Sequence, residues 1–550
     1  MSFLKLFNKD SIENLMNSEE FKKWIYSKRW FGEKSQLLNL EFQVSLDFFK
    51  FITENISLTI IKVLKSNYER SYFLPLIYYK NKEEIQNFSE QAFNIIVSFK
   101  DKNKKKEISL ILLEAEYSVN FWKNILFKKD IYNDFSNLSL DIQDNTSKKR
   151  FENLFSNDVN YYKLELEQLG KGNTTNLIFR LTLKNKEMNS ISFVAKSYRV
   201  FSERIEQMTL NVLAKNQFAG VPKLNAKIDL KDINLISIME YMPNQGNIGE
   251  IYWNELNNMI YELLSNYDEK LGSFKDNNNF LTLTKNKCEN SFTIAKNIGV
   301  FIKSFHKAVV LEDNVFYSSE MIERDYFLRN FSQKLLLIIS EIQYMIENNS
   351  RKSILTAPKI NSLLFEIADR IQELCTSIDK SGIIIQPIHQ DLHMEQILYD
   401  KTDNNFNFYI IDLEGDPNFT FEEKQKKYPK ERDIASFLRS LSYIKYNTFL
   451  GCVKNQFSGN IYNNPEEFLY DLFFTNKLKK NKKKIDELLK ILNIWETELI
   501  ARFFKNLDYD KKLIDYFLID RIIHEINYEI NFRPSKVIIP ILGLKEYLNK

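Results

Sequence analysis

Near residue 250 the hydrophobic period of this 550-residue chain changes, and helical spacing prevails from there on. From about 161 to 245 apolar residues come in short alternating runs, such as Leu177-Ile178-Phe179-Arg180-Leu181-Thr182-Leu183 and Ile191-Ser192-Phe193-Val194-Ala195-Lys196. After about 250 they recur three or four apart, as in Ile298-Gly299-Val300-Phe301-Ile302-Lys303-Ser304-Phe305-His306. A strand buries alternate residues and a helix buries one stripe, so the first stretch predicts a sheet and the second a helical body. One strand-like island, Phe408-Tyr409-Ile410-Ile411-Asp412, interrupts the helical part. Upstream, residues 1 to about 40 read as helical and break at Arg29-Trp30-Phe31-Gly32-Glu33-Lys34. Ile56–Leu64 and Tyr72–Tyr79 read as strands of a small sheet, Lys102–Lys106 as a solvated run, and 115–160 as mixed and mostly helical. The second β-rich block closes with a helix over about 202–216 and a strand over Leu235–Glu240. The expected class is therefore α+β. Residues 1–110 form one domain, 111–245 an intermediate segment with a β-rich lobe, and 246–550 a helical lobe. A β-rich lobe followed by a helical lobe suggests a cleft, a common place for a ligand.

Composition narrows the function. Lys and Arg total 76 against 73 Asp and Glu, a net charge of +3 that makes no electrostatic case for nucleic acid. Cys288, Cys375 and Cys452 are far apart and lack CxxC spacing, which argues against a disulfide framework or a cysteine-based zinc site. Met1–Asp10 has no long apolar core, and no stretch approaches ~18 uninterrupted apolar residues. A cytoplasmic location, with no membrane partner, is the expectation.

The densest polar cluster is Ile388-His389-Gln390-Asp391-Leu392-His393-Met394-Glu395-Gln396. It precedes the strand-like island that exits through Asp412-Leu413-Glu414-Gly415-Asp416-Pro417. This order suits phosphoryl transfer from ATP. One carboxylate, Asp391, takes the proton of an acceptor hydroxyl; Gln396 and Asp412, with Glu414 as helper, supply hard oxygen ligands for Mg²⁺. A lone HxD would read as a polar turn; here the polar loop, short strand and acidic exit follow in order. Upstream, Lys196 closes an apolar strand and could reach the nucleotide phosphates. Glu206, or else Glu203, would orient it. Gly170 and Gly172 sit in the turn Gly170-Lys171-Gly172-Asn173-Thr174-Thr175, where backbone N–H groups could approach phosphate, although a plain hairpin explains them equally well. There is no P-loop GxxxxGK[ST], no HExxH and no GxSxG elbow. His306 lies on an apolar helix face and reads as a core histidine; the basic run Lys477–Lys484 reads as solvated surface.

Taken together, these segments resemble the aminoglycoside-phosphotransferase-like branch of the kinase fold, and more narrowly the maltokinases. Four stretches carry the resemblance: Arg29–Lys34; His389–Gln396 with Ile411–Pro417; Arg432-Asp433-Ile434-Ala435-Ser436-Phe437-Leu438-Arg439-Ser440-Leu441-Ser442-Tyr443; and Glu525-Ile526-Asn527-Tyr528-Glu529-Ile530-Asn531-Phe532-Arg533-Pro534. The resemblance implies a two-lobed kinase-like fold with an N-terminal α/β cap, and ATP and Mg²⁺ as cofactors. It implies phosphorylation of maltose at its anomeric hydroxyl, a place in glycogen biosynthesis, and association with trehalose- or maltose-converting enzymes. Met239-Glu240-Tyr241-Met242 would be the hinge, with Glu240 and Met242 near adenine. His393, Arg439, Tyr443, Glu525, Tyr528, Glu529 and Arg533 would line the acceptor side; Arg439 with Tyr443, and Glu525 with Glu529, each share a helix face. The segment Gln245-Gly246-Asn247-Ile248-Gly249 departs from the Gly-Asp-Gly-Trp-like run usual after the hinge, and extra helical sequence stands between His306 and Pro387. Both departures bear on the acceptor, for which glucosamine or an aminoglycoside is the alternative. A nucleotide-binding pseudokinase is the reading from another class; it would need a missing base or metal ligand.

Overall fold

A computed structural model describes residues 9–31, 41–65, 68–80, 93–101, 104–128, 130–134, 137–143, 163–170, 175–184, 190–275, 279–348, 358–376, 381–403, 405–417, 419–456, 465–475, 482–505 and 507–549. The chain forms two compact units, Met1–Leu210 with Pro222–Met242, and Asn211–Val221 with Pro243–Lys550.

The first unit holds two antiparallel sheets. One orders its strands β1 (Gln43–Phe51), β2 (Ile56–Lys65), β4 (Leu76–Tyr79), β6 (Lys104–Glu114) and β5 (Phe93–Asp101), with β3 (Tyr68–Phe73) also pairing with β2. β2 is buried on both faces, and its composition explains why: Ile-Ser-Leu-Thr-Ile-Ile-Lys-Val is apolar or small nearly throughout. Ile61 and Val63 pack with Ile12, Phe21, Trp24, Trp30 and Phe31 of the N-terminal segment. Leu58 and Ile60 pack with Trp122 and with residues of the second sheet.

That second sheet runs β7 (Leu138–Ile142), β11 (Leu224–Leu230), β12 (Ile233–Glu240), β10 (Ser190–Ser197), β9 (Leu177–Lys184), β8 (Lys163–Leu169). β9 alternates buried and half-buried residues along its whole length, as its sequence requires. The helix expected over 202–216 spans Glu206–Lys215. Two strands correct the sequence reading. Leu138–Ile142 lies in a stretch read as mostly helical, and it gains its partner, Leu224–Leu230, only through tertiary structure; Leu224–Leu230, outside the strands read from sequence, is also the first arm of a hairpin with Ile233–Glu240.

Arg199, just past β10, joins the two sheets. Its Nη2 donates to Glu114 at 2.9 Å, its Nη1 to Glu116 at 2.6 Å and to the Phe73 carbonyl at 3.1 Å. Lys28 reaches Glu114 at 2.9 Å, and Trp30 Nε1 donates to Glu114 at 2.7 Å. Burial pushes the Glu114 carboxyl up, but Lys28 and Arg199 outweigh it and hold it below its ordinary range.

The second unit is helical. Its long helices include Ile248–Ser265, Glu289–Ala308, Arg324–Asn348, Pro358–Thr376, Glu431–Gln456, Lys482–Phe503 and Lys511–Phe532. The extra sequence between His306 and Pro387 supplies Arg324–Asn348 and Pro358–Thr376, framed by a ladder pairing Glu320–Glu323 with Gly382–Ile385. The strand-like island is the second arm of a hairpin, Ile397–Thr402 against Asn405–Ile410. Gly220 is pressed against this arm: its carbonyl accepts the Ile410 N–H at 2.8 Å, and a Cβ there would meet Phe301 at 2.5 Å.

Candidate active site

In the first unit, Lys196 sits at the buried end of β10, opposite Ser237 and Ile178. Its Nζ donates to both Glu206 oxygens, at 3.1 and 3.0 Å. Glu203, the other candidate, is exposed. Tyr198 also donates to Glu206, and Gln207 Nε2 ties the Tyr198 hydroxyl to Asn234 and Ser237 at 2.8–3.0 Å. Lys196 and Glu206 are 4% and 2% exposed, so the pair is sheltered from solvent screening. Gly170 adopts φ +61° at the end of β8, a conformation that suits glycine. Gly172 lies outside the described residues. Glu240 ends β12 opposite Phe193, and Met242 follows it.

In the second unit, the loop carrying Asp391 is held from beneath by a residue that sequence reasoning did not assign a role. Asp433, fully buried near the start of the Glu431–Gln456 helix, accepts the backbone N–H groups of His389 at 2.8 Å and Gln390 at 2.9 Å. It also contacts His306 Nε2 at 3.0 Å. Burial would raise its pKa, but the His306 hydrogen bond and charge, with His389, outweigh burial and lower it. His306, read as a core histidine, is thus buried, with its Nε2 partnered by Asp433. His389 Nε2 lies 3.0 Å from the Ile411 carbonyl, which ties the loop to the strand exit. Gln390 takes φ +70° and donates to the Lys424 carbonyl at 2.7 Å.

Asp391 then meets a second unassigned residue. Arg521, on the Lys511–Phe532 helix, donates through Nη2 to Asp391 Oδ1 at 2.9 Å. Its Nη1 stands 3.7 Å from Asp416. His393 Nε2 lies 3.9 Å from Asp391 Oδ2. Gln396 follows on a single helical turn, and its amide lies 3.3 Å from Asp412 Oδ2 and 3.2 Å from His393. Asp412 is exposed at φ +60°, just past the hairpin. Which end of the Gln396 amide faces Asp412 is set by what binds there, so amide oxygen and carboxylate can serve side by side. Two adjacent hard donors fit Mg²⁺, which completes its shell with water and phosphate oxygens. Among the described residues no cluster of three or more His, Cys, Asp or Glu could cage a metal by itself. Glu414 is half-buried two residues beyond Asp412.

The remaining sequence candidates meet where the Glu431–Gln456 and Lys511–Phe532 helices pack. Arg439 Nε donates to Glu525 at 2.9 Å and its Nη1 to Ser442 at 2.7 Å. Arg439 fits because Gly543 on the last helix lacks a side chain: a Cβ there would stand 2.7 Å from the guanidinium. Tyr443 donates to Glu529 at 2.9 Å, and Arg533 clasps Glu529 with two bonds of 3.0 and 2.6 Å. Arg439 and Glu529 are buried. Tyr528, by contrast, is exposed and packs on exposed Phe532 at 4.9 Å. Burial raises the Glu525 pKa, and the nearby Arg439 and Arg521 only partly offset it.

No family model matches the chain. Among solved structures it is similar to a glucosamine kinase in complex with glucosamine, ADP and inorganic phosphate. The TM-score is 0.53 at 12% identity, covering 92% of this chain and 95% of that one. Another crystal form of glucosamine kinase gives 0.48 at 12% identity over 92% and 94% of the two chains. An aminoglycoside phosphotransferase mutant in ternary complex with ADP and hygromycin B gives 0.34 at 7% identity over 74% and 98%. Among the described residues no helix is long and apolar enough to cross a membrane. The structural neighbours are small-molecule kinases, and the fold of this chain is the two-lobed kinase-like one, with a β-rich N-lobe, a helical C-lobe and an N-terminal α/β cap.

Proposed function

We propose that this chain is an ATP-dependent kinase that phosphorylates a sugar hydroxyl, with maltose at its anomeric position as the leading acceptor. The observation that carries the reading is the loop of Asp391. Asp433 fixes its backbone with two N–H bonds while Gln396 and Asp412 stand 3.3 Å apart at the strand exit. In this reading Asp391 accepts the acceptor's proton as its oxygen bonds to the γ-phosphorus; the bond from that phosphorus to the β–γ bridging oxygen breaks, and ADP leaves. Lys196, kept in place by Glu206, would hold the non-transferred phosphates. Gln396 and Asp412 would hold Mg²⁺, with Glu414 beside them; bound there, the ion neutralises charge on the phosphate oxygens. His393 would hydrogen-bond the acceptor.

On the acceptor side, Arg439 and Glu529 are enclosed by their partners, so contact with a sugar would fall to Tyr528, Glu525 and Arg533. The exposed Tyr528–Phe532 pair offers apolar ring surface beyond what one hydrogen-bonded pyranose uses, which favours a disaccharide. Glucosamine is the second reading. It is favoured by the likeness to the glucosamine complex and by the carboxylates Glu525 and Asp416 near Arg521, which would suit an amine. ATP consumption measured against maltose, glucose, glucosamine and trehalose, with the phosphorylated position read by phosphorus NMR, tests both. Preference for glucosamine would remove the maltose assignment and leave the chemistry standing. ATP turnover that responds to no sugar would remove the sugar-kinase reading.

A further inference from the structure

We infer that Arg521 is a positioning residue for Asp391: it holds Oδ1 so that Oδ2 alone is presented to the acceptor. The inference rests on the reading of Asp391 as base. A carboxylate has two equivalent oxygens and turns about a soft torsion, so a base held at one end only by its backbone presents either oxygen over a range of angles. Here Arg521 Nη2 occupies Oδ1 at 2.9 Å. His393 Nε2 stands 3.9 Å from Oδ2, beyond hydrogen-bond reach. Oδ2 is thus left to take an incoming hydroxyl's hydrogen. Arg521 is steadied in turn by Asp416, 3.7 Å from Nη1.

A bridge that merely docked the Lys511–Phe532 helix would explain the contact less well. That work is done one residue earlier, where Asp520 meets Arg432 at 3.3 Å with both side chains 1% exposed. The Arg521–Asp391 bridge is open by comparison, at 14% and 20% exposure. It sits where a ligand could reach it.

The test measures turnover with maltose and, in parallel, glucosamine, for Arg521→Gln, Arg521→Lys, Asp391→Asn and the double variant Arg521→Gln/Asp391→Asn, each checked by thermal melt. Should neither sugar be turned over, basal ADP release is read instead, since water needs the same base. Arg521→Gln should lose on the order of 100-fold in kcat, the size of effect that misplacing a reacting group by about 1 Å produces, with KM for ATP unchanged. Arg521→Lys, keeping one cationic donor, should recover part of the loss, as should guanidinium added to Arg521→Gln. In the Asp391→Asn background, Arg521→Gln should cost nothing further, because the group it positions is gone. Wild-type kcat in Arg521→Gln, or the same additional loss in the Asp391→Asn background, overturns the inference. An active Asp391→Asn would instead overturn the base assignment, and the inference with it.

Discussion

Each unit contains a cluster of acids around an arginine, and the two clusters differ in what encloses them. In the first unit Arg199, Glu114 and Glu116 are at most 1% exposed and Lys28 is 9% exposed. In the second, Arg521 and Asp391 are 14% and 20% exposed, and Asp416 and Glu525 stand nearby. The sealed cluster has two cations for two acids and joins the N-terminal sheet to the next. Its members are shut away from any outside ligand, so it behaves as architecture. The second cluster is only partly enclosed, so a ligand can reach Asp391 and Arg521 and compete for their partners. Similar residue types therefore serve opposite ends, and accessibility makes the difference.

The largest effect should come from the open cluster. Asp391→Asn should lose on the order of 10²–10⁴-fold in kcat, the range for a general base, with an unchanged melting temperature. A folded variant with near wild-type kcat would break the comparison at once. Beside it, Asp412→Ala should abolish Mg²⁺-dependent turnover while Glu414→Gln weakens it less; a Mg²⁺ titration at fixed ATP reads the ranking, and the reverse order would reassign the metal.

The sealed cluster should answer with stability. Arg199→Met strands Glu114 and Glu116 without their shared cation, so unfolding should become easier by about 3–5 kcal/mol, read from urea titration. The folded fraction should keep its kcat. A variant as stable as wild type would show that the cluster is not what holds the sheets together.

Smaller effects sharpen the contrast. Tyr528→Ala should weaken transition-state binding of maltose by about 0.5–1.5 kcal/mol, since it removes one face of an aromatic pair. Glucose should suffer less, and an equal loss on both sugars would place Tyr528 outside the acceptor site. The smallest effect concerns His524, 3.0 Å from Asp520. Burial opposes charge on the imidazole, but Asp520 outweighs burial and raises its pKa. A raised folded-state pKa means that the stabilisation is full below the unfolded value of about 6.5 and is lost as pH rises through the folded value. The stability deficit of His524→Gln should therefore be greatest in mild acid and shrink as pH rises past neutrality. A deficit independent of pH would assign His524 a packing role only.

How much of this could be read beforehand depended on sequence distance. The pairing of Lys196 with Glu206 was legible because a lysine closing an apolar strand is unusual and the helix that carries Glu206 starts ten residues later. The proximity of Gln396 to Asp412, and of both to the Asp391 loop, was legible because they crowd around one loop and one short hairpin. The fold class followed from the change of period. Asp433 and Arg521 were not legible as partners of that loop. They meet the loop across 43 and 130 residues, and nothing in a local pattern marks which acid or arginine of an amphipathic helix will point there. The same limit hid the pairing of Leu138–Ile142 with Leu224–Leu230: two short strands far apart have no period in common to announce them.

Gly543 gives the last helix a meaning that its plain apolar sequence hides. Any side chain there would intrude on Arg439, and Glu546 on the same helix accepts both Lys445 and Tyr446 at 2.7 Å. The C-terminal residues are therefore not a tail that can be trimmed or drift freely. A frameshift or a protease that removed them would withdraw the support behind Arg439 and Lys445 while sparing Asp391, Asp412 and Lys196. In a population of such genes, lesions in this helix should be purged as strictly as lesions in the Asp391 loop.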